Sequence, residues 1–143
     1  KGMKRISDEN IGVSEPSLDQ LMRTVFDMSE TELDICLCVM EGGEQTVAEL
    51  AEQIDHDRSV VSRHLNHLAD LGVIDKRRRI LKEGGQIHVY TPEDPAVVRR
   101  NLLGAFVFWV QEATTRIDSL SREKVEAMVE TDTRDPQWRI YQE

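Results

Sequence analysis

The sequence predicts a mostly α-helical fold with one small β-hairpin. Three observations carry that reading. Apolar residues recur at helical spacing in successive segments. Three boxes of the form Ser/Thr-x-x-Glu/Gln, each a helix start, fall within thirty-three residues. An arginine-rich extended stretch then runs into a Gly-Gly turn and a second extended stretch. At 143 residues the chain makes one domain, or one domain with a long appended helix.

Residues 1–13 are polar and read as a flexible arm. From Pro16 to Met28, Leu18, Leu21, Met22, Val25 and Phe26 mark a helix, with Ser17 and Gln20 as its capping box. Ser29 to Glu32 opens a second helix whose Leu33, Cys36, Leu37 and Met40 share a face, and Gly42-Gly43 stop it. Thr46 to Glu49 opens a short third helix through Ile54. After the turn Asp55-His56, Asp57 is the expected N-cap of a fourth helix to about Leu71. Val61, Leu65, Leu68 and Leu71 form its inward stripe, and Gly72 is the stop. Val73 to Leu81 and Gln86 to Thr91 are the two arms of the hairpin, turning at residues 82–85. A long helix follows from about Pro95 to near Glu130, with an interruption around Ser119 to Ser121. The tail, 131–143, carries Trp138, Ile140 and Tyr141 and has no assignable structure.

Apolar residues at 39% and charged ones at 31% allow a packed core. Leu102 to Val110, broken by Gly104, is the longest apolar run and is too short to span a bilayer. With no secretory signal read at its start, and Cys36 and Cys38 its only cysteines, the chain is expected to be soluble and cytoplasmic. The net charge of −9 argues against an anionic partner, but its distribution is uneven. Between His56 and Tyr90 seven bases meet four acids, a local +3 that leaves −12 for the rest. Thirteen arginines against five lysines on an acidic chain resemble the bias of proteins from salt-loving archaea.

No nucleophile motif, phosphate-binding glycine loop or metal-ligand cluster supports catalysis, so the chain is not expected to be an enzyme. No cofactor or metal is expected either. Cys36 and Cys38 lie two apart on a helix and point about 200° away from each other, which does not suit one ion. His64 and His67 are i, i+3 neighbours, a spacing that permits a metal pair without arguing for one.

Two helices joined by a short turn and followed by a hairpin make a winged helix-turn-helix unit. Thr46 to Ile74 meets its demands: Ala51 is small at the helix crossing, and Asp55 tolerates the left-handed turn position. The run SVVSRHLNHLADLGVIDKRRR resembles the recognition helix and wing of ArsR- and MarR-type regulators. GGQIHVYTPEDP, Gly84 to Pro95, is similar to the wing exit of archaeal TrmB-like regulators. The resemblance covers about residues 17 to 95 and implies a dimeric winged-helix transcription regulator, more often a repressor in such small proteins. The effector domain of TrmB-type proteins is not expected within these 143 residues. It also lacks the metal-binding cysteine pair of some ArsR-type proteins.

The expected organisation is thus an arm, a winged helix-turn-helix at 14–94, a C-terminal dimerisation helix region at 95–130 and the tail. Arg58, Ser59, Ser62, Arg63 and Asn66 form the outward face of the fourth helix, with types that suit base edges in a major groove; His67 borders them. In the wing, Arg77, Arg78, Arg79 and Lys82 are expected to meet phosphates or the minor groove. Strand alternation puts Arg77 and Arg79 on one face and Lys76 and Arg78 on the other. Leu102, Phe106, Trp109, Ala113 and Ile117 form a coiled-coil-like stripe on the long helix and are the expected dimer interface. The expected partners are a second copy and double-stranded DNA bearing a near-palindromic operator, with no membrane role and no effector identified. A winged helix used for protein contact within transcription or replication machinery is the alternative, supported by the acidic balance. A ligand-sensing derepressor is a third.

Overall fold

The computed structural model describes residues 14–131, so the arm 1–13 and the tail from 132 lie outside the described residues. Two compact units divide at Phe106 and Val107.

The first unit begins with α1 (Leu18–Val25). Ser17 Oγ accepts from the Gln20 N–H at 3.1 Å, and Gln20 Oε1 accepts from the Ser17 N–H at 2.8 Å, as the box predicts. The helix is shorter than its apolar pattern because Asp27 adopts a left-handed backbone, φ 55°, and turns the chain into α2 (Glu30–Gly42). On α2 the observed core face differs from the predicted stripe. Ile35, Cys36 and Val39 are fully buried, whereas Leu37 is exposed and Met40 is only partly covered. The helix is apolar on two sides, and Leu37 and Met40 turn toward a groove shared with α1.

The loop after α2 is tied to the hairpin. Gln45 and Tyr90 exchange backbone hydrogen bonds of 2.9 and 2.8 Å, and the buried Gln45 amide donates to Cys38 O at 3.0 Å. Then α3 (Val47–Ile54) starts at a complete Thr46–Glu49 box and ends at Asp55 in the left-handed region, φ 61° and ψ 51°. α4 (Arg58–Leu71) follows, with Asp57 at its N-cap in extended backbone but without a side-chain capping bond. Val61, Leu65 and Leu68 are fully buried, each worth about 1.5–3 kcal/mol of apolar burial. Gly72, at φ 77°, ends α4, and a side chain there would both strain the backbone and strike Asn101.

The hairpin pairs β1 (Ile74–Ile80) with β2 (Gln86–Pro92) antiparallel, Lys76 opposite Tyr90 and Arg78 opposite His88. Gly84 and Gly85, at φ 94° and 88°, form the tip. α5 (Pro95–Asp118) then begins, and Val98, Leu102 and Ala105 pack on the core while Asn101 Nδ2 donates to Gly72 O at 3.0 Å.

The second unit, described by itself from Val107, holds the remainder of α5 and α6 (Arg122–Thr131). The predicted interruption is present at residues 119–121, and Ser121 Oγ then accepts from the Lys124 N–H at 3.3 Å. Among the described residues of this unit no side chain is buried, although Val107, Phe108, Val110, Ile117, Leu120 and Met128 are large and apolar. No helix among the described residues is long and apolar enough to cross a membrane.

Candidate nucleic-acid interface

The buried stripe of α4 fixes what its other face presents. With Val61, Leu65 and Leu68 inward, Arg58, Ser59 and Arg63 are exposed and Ser62 and Asn66 are half-buried at the rim. Among the described residues neither Arg58 nor Arg63 is engaged in a hydrogen bond or ion pair, so both guanidinium groups can turn to an external acceptor.

Asn66 is placed differently from a simple base reader. Its Oδ1 accepts from Lys76 Nζ at 2.9 Å and from the Tyr90 hydroxyl at 3.1 Å. The helix and the hairpin are therefore joined at this oxygen. Because Lys76 and Tyr90 are opposite one another in the register, the hairpin face of Lys76 and Arg78 is the one turned toward α4.

The basic run of β1 divides by partner. Arg77 Nε donates to Asp75 Oδ2 at 2.8 Å, which holds its guanidinium even further above its ordinary pKa. Arg79 pairs with Glu44 from the loop after α2. Arg78 and Lys82 are exposed and unpaired among the described residues. The local positive charge read from the sequence is thus partly spent inside the chain, and Arg78 and Lys82 are the uncommitted wing cations among the described residues.

A second cluster was not legible from the sequence. Glu32 is the third residue of α2, where the Ser29 hydroxyl takes its backbone N–H at 3.1 Å. A full capping box would return the Glu32 carboxylate to Ser29. Instead it reaches across to α4, with Oε2 2.9 Å from His64 Nδ1 and 2.9 Å from His67 Nδ1. An ionised carboxylate only accepts, so each ring carries its proton on Nδ1 toward Glu32. Its carboxylate is 6% exposed, against 18% for His64 and 50% for His67. A buried carboxylate is costly unless satisfied, and here two ring donors and the N-terminal end of α2 answer it. His67, which borders the outward face in the linear pattern, is thus turned to Glu32.

Both cysteines are thiols with little call to ionise. Burial first, and the Glu32 charge second, push Cys36 up to about 11; burial also raises Cys38. Among the described residues no group of three or more His, Cys, Asp or Glu side chains is arranged to hold a metal ion.

The predicted interface stripe of α5 falls on both units. In the first, Leu102 packs on its own core and Phe106 is partly exposed at the end of the unit. In the second, Ala113 is half-buried, and Trp109 and Ile117 are exposed.

Comparison with known proteins agrees with this architecture. Residues 28–77 match the family model described as a helix-turn-helix domain. The uncharacterized protein MJ1082 of Methanocaldococcus jannaschii is 31% identical over 78 residues, 54% of this chain and 64% of that protein. The chain thus spans less than two thirds of that relative's length in the match. A possible transcriptional regulator from Methanosarcina mazei superposes with a TM-score of 0.63 at 12% identity, covering 79% of this chain and 96% of that one. TrmBL2, an archaeal chromatin protein, superposes with a TM-score of 0.50 at 21% identity over 84% of this chain and 44% of its own. At these identities the superpositions speak for the fold. Sequence match, helix order and hairpin register agree that the chain carries a helix-turn-helix domain in its winged form.

Proposed function

We infer that this chain is a DNA-binding transcription regulator that reads duplex DNA with α4, grips the backbone with the wing and acts as a homodimer. The carrying observation is the Asn66 junction, which fixes the Lys76–Arg78 face of the hairpin against the helix that exposes Arg58, Ser59 and Arg63. One joint then holds the helix that carries the candidate base readers and the strand that carries a wing cation, which supports major-groove docking with a phosphate contact. Two proteins sharing the fold are described as a possible transcriptional regulator and as a chromatin protein that binds DNA, which is in keeping with this reading. It calls for no catalysis.

The dimer rests on α5. Leu103, Val107, Phe108, Val110 and Ile117 are all large, apolar and exposed on one helix, more than a solitary helix in water usually leaves uncovered. Pairing through Phe106, Trp109, Ala113 and Ile117, with Leu102 shared between interface and core, would bring two α4 helices to one duplex. Two-fold symmetry makes the operator a near-palindrome with half-site centres about 10 bp apart or a multiple of one turn. A role as repressor follows from such a site overlapping a promoter. Retardation of genomic fragments at several salt concentrations tests the reading: discrete, salt-sensitive shifts of a subset of fragments support it, and no shift at low salt contradicts it.

A further inference from the structure

The cluster of Glu32, His64 and His67 binds the recognition helix to α2, yet nothing in the helix-turn-helix architecture calls for it. His64 and His67 lie one turn apart on α4, and both Nδ1 atoms converge within 2.9 Å of one carboxylate oxygen. Glu32 therefore holds α4 about its own axis and along its length. Whatever these two rings fix is the presentation of Arg63 and Asn66, their neighbours on the same helix.

We propose that Glu32 is a positioning residue for the recognition helix, and that the carboxylate with its two imidazoles makes DNA affinity rise as pH falls. The proposal rests on the DNA-binding reading and adds a regulation to it. Each ring meets the carboxylate through Nδ1, which leaves Nε2 to take up or release the second proton. Adding that proton keeps the Nδ1 hydrogen bond, so the clamp survives titration. The formal charge of the cluster nevertheless runs from −1 with both rings neutral to +1 with both protonated. Histidine is the side chain whose charge changes between about pH 5 and 8. His67 is half-exposed and lies four residues from Arg63, so its charge adds to the field of the face offered to phosphates. By linkage DNA then favours the protonated cluster, and acid favours the complex.

The surrounding charges are of both signs. α2 carries Glu30, Asp34, Cys38 and Glu41 beside Glu32, which meets the rings, and Cys36, whose thiol responds to the Glu32 charge. On α4, Arg63 and Asp70 lie four residues before and three after His67, one of each sign. β1 contributes Lys76, whose ammonium is held on Asn66, and α3 meets the core with the apolar Leu50 and Ala51.

The test uses the full chain and a fluorescent random-sequence duplex, titrated between about pH 8 and about pH 5.5 at constant low salt. The parent should bind about fivefold more tightly at the acid end, the scale of one added charge near phosphate in water. The paired substitution His64→Asn and His67→Asn keeps a neutral donor at each Nδ1 position. It should bind like the parent at the alkaline end and lose the acid gain beyond what His56 and His88 supply. His67→Asn alone, at the more exposed ring, should lose part of that gain while remaining folded by circular dichroism. Glu32→Gln makes the cluster one unit more positive yet loosens the hold on α4, so it should lower the ratio of affinity for a selected operator to that for the random duplex at both ends of the range. A paired or single Asn variant with the parental pH profile would overturn the proposal while leaving the DNA-binding reading intact. A parent that binds no duplex at any pH would remove that reading itself, and the proposal with it.

Discussion

The Tyr90 hydroxyl donates to Asn66 Oδ1 at 3.1 Å, from a buried position on the otherwise largely exposed β2 to the rim of α4. Lys76 donates to the same oxygen at 2.9 Å. Asn66 is consequently the joint between α4 and the hairpin. Bidentate adenine reading needs both its carbonyl oxygen and its amide, and here the oxygen is already doubly engaged. Among the predicted base readers, Arg63 is the less encumbered.

The joint can be separated from base reading by two substitutions. Tyr90→Phe removes one neutral hydrogen bond and should lower unfolding free energy by about 0.5–1.5 kcal/mol. Asn66→Ala strands the buried hydroxyl as well, so it should cost more, about 1–3 kcal/mol. Urea denaturation measures both, and an Asn66→Ala protein as stable as the parent would contradict the joint.

The wing arginines should not be equivalent. Arg78 is uncommitted among the described residues, while Arg77 is bonded to Asp75 and Arg79 to Glu44. Arg78→Ala should weaken binding to all sequences and flatten the dependence of log K on log salt by roughly one unit. Arg77→Ala should flatten it less. Equal slopes for the two variants would show that the Asp75 pairing is given up on DNA.

Much of the scaffold was legible because its signals are local. Ser17–Gln20 and Thr46–Glu49 form the boxes their spacing predicts, Asp55 takes the left-handed turn, and Gly72 ends α4. Each involves atoms within a few residues along the chain. The Glu32 cluster was not legible, since Glu32 lies 32 and 35 residues from its partners and the Ser29-x-x-Glu32 pattern reads as an ordinary box. The spacing of His64 and His67 was a partial signal, which lacked only the identity of the third group. Asn66 as a joint depends on strand register, which fixes Tyr90 opposite Lys76. On α2, apolar residues on two sides left periodicity unable to choose between Ile35 with Val39 and Leu37 with Met40.

Alkaline stability should report the buried thiol. Cys36 is fully buried and raised from 9.0 to about 11, and burial raises Tyr90 as well. A raised folded pKa gives stability that is whole below the unfolded value and lost as pH climbs through the folded one. Between about pH 9 and about pH 11 the parent should lose about 2–3 kcal/mol from Cys36, with Tyr90 adding to the fall. Cys36→Ala, less stable at neutral pH through its cavity, should show a shallower alkaline decline. Parallel pH profiles for the two proteins would contradict this assignment.

The proposed dimer should fail at α5. Phe106→Glu or Ile117→Glu would place a charge against a symmetry mate without a partner, and each should shift the protein toward monomer by analytical sedimentation. A monomeric, folded variant should lose operator affinity because one recognition helix remains where two are needed. A folded monomer protecting a full palindrome at parental concentration would contradict the two-fold arrangement.

Whether α4 reads DNA sequence through its exposed face is decided by selection from a random duplex library with the parent and with Arg63→Ala. The parent should enrich a two-fold motif, and Arg63→Ala should relax one position in each half-site at a cost of about 1–3 kcal/mol, with stability unchanged. Enrichment of the same motif by both proteins, or of none by the parent, would contradict sequence reading by α4.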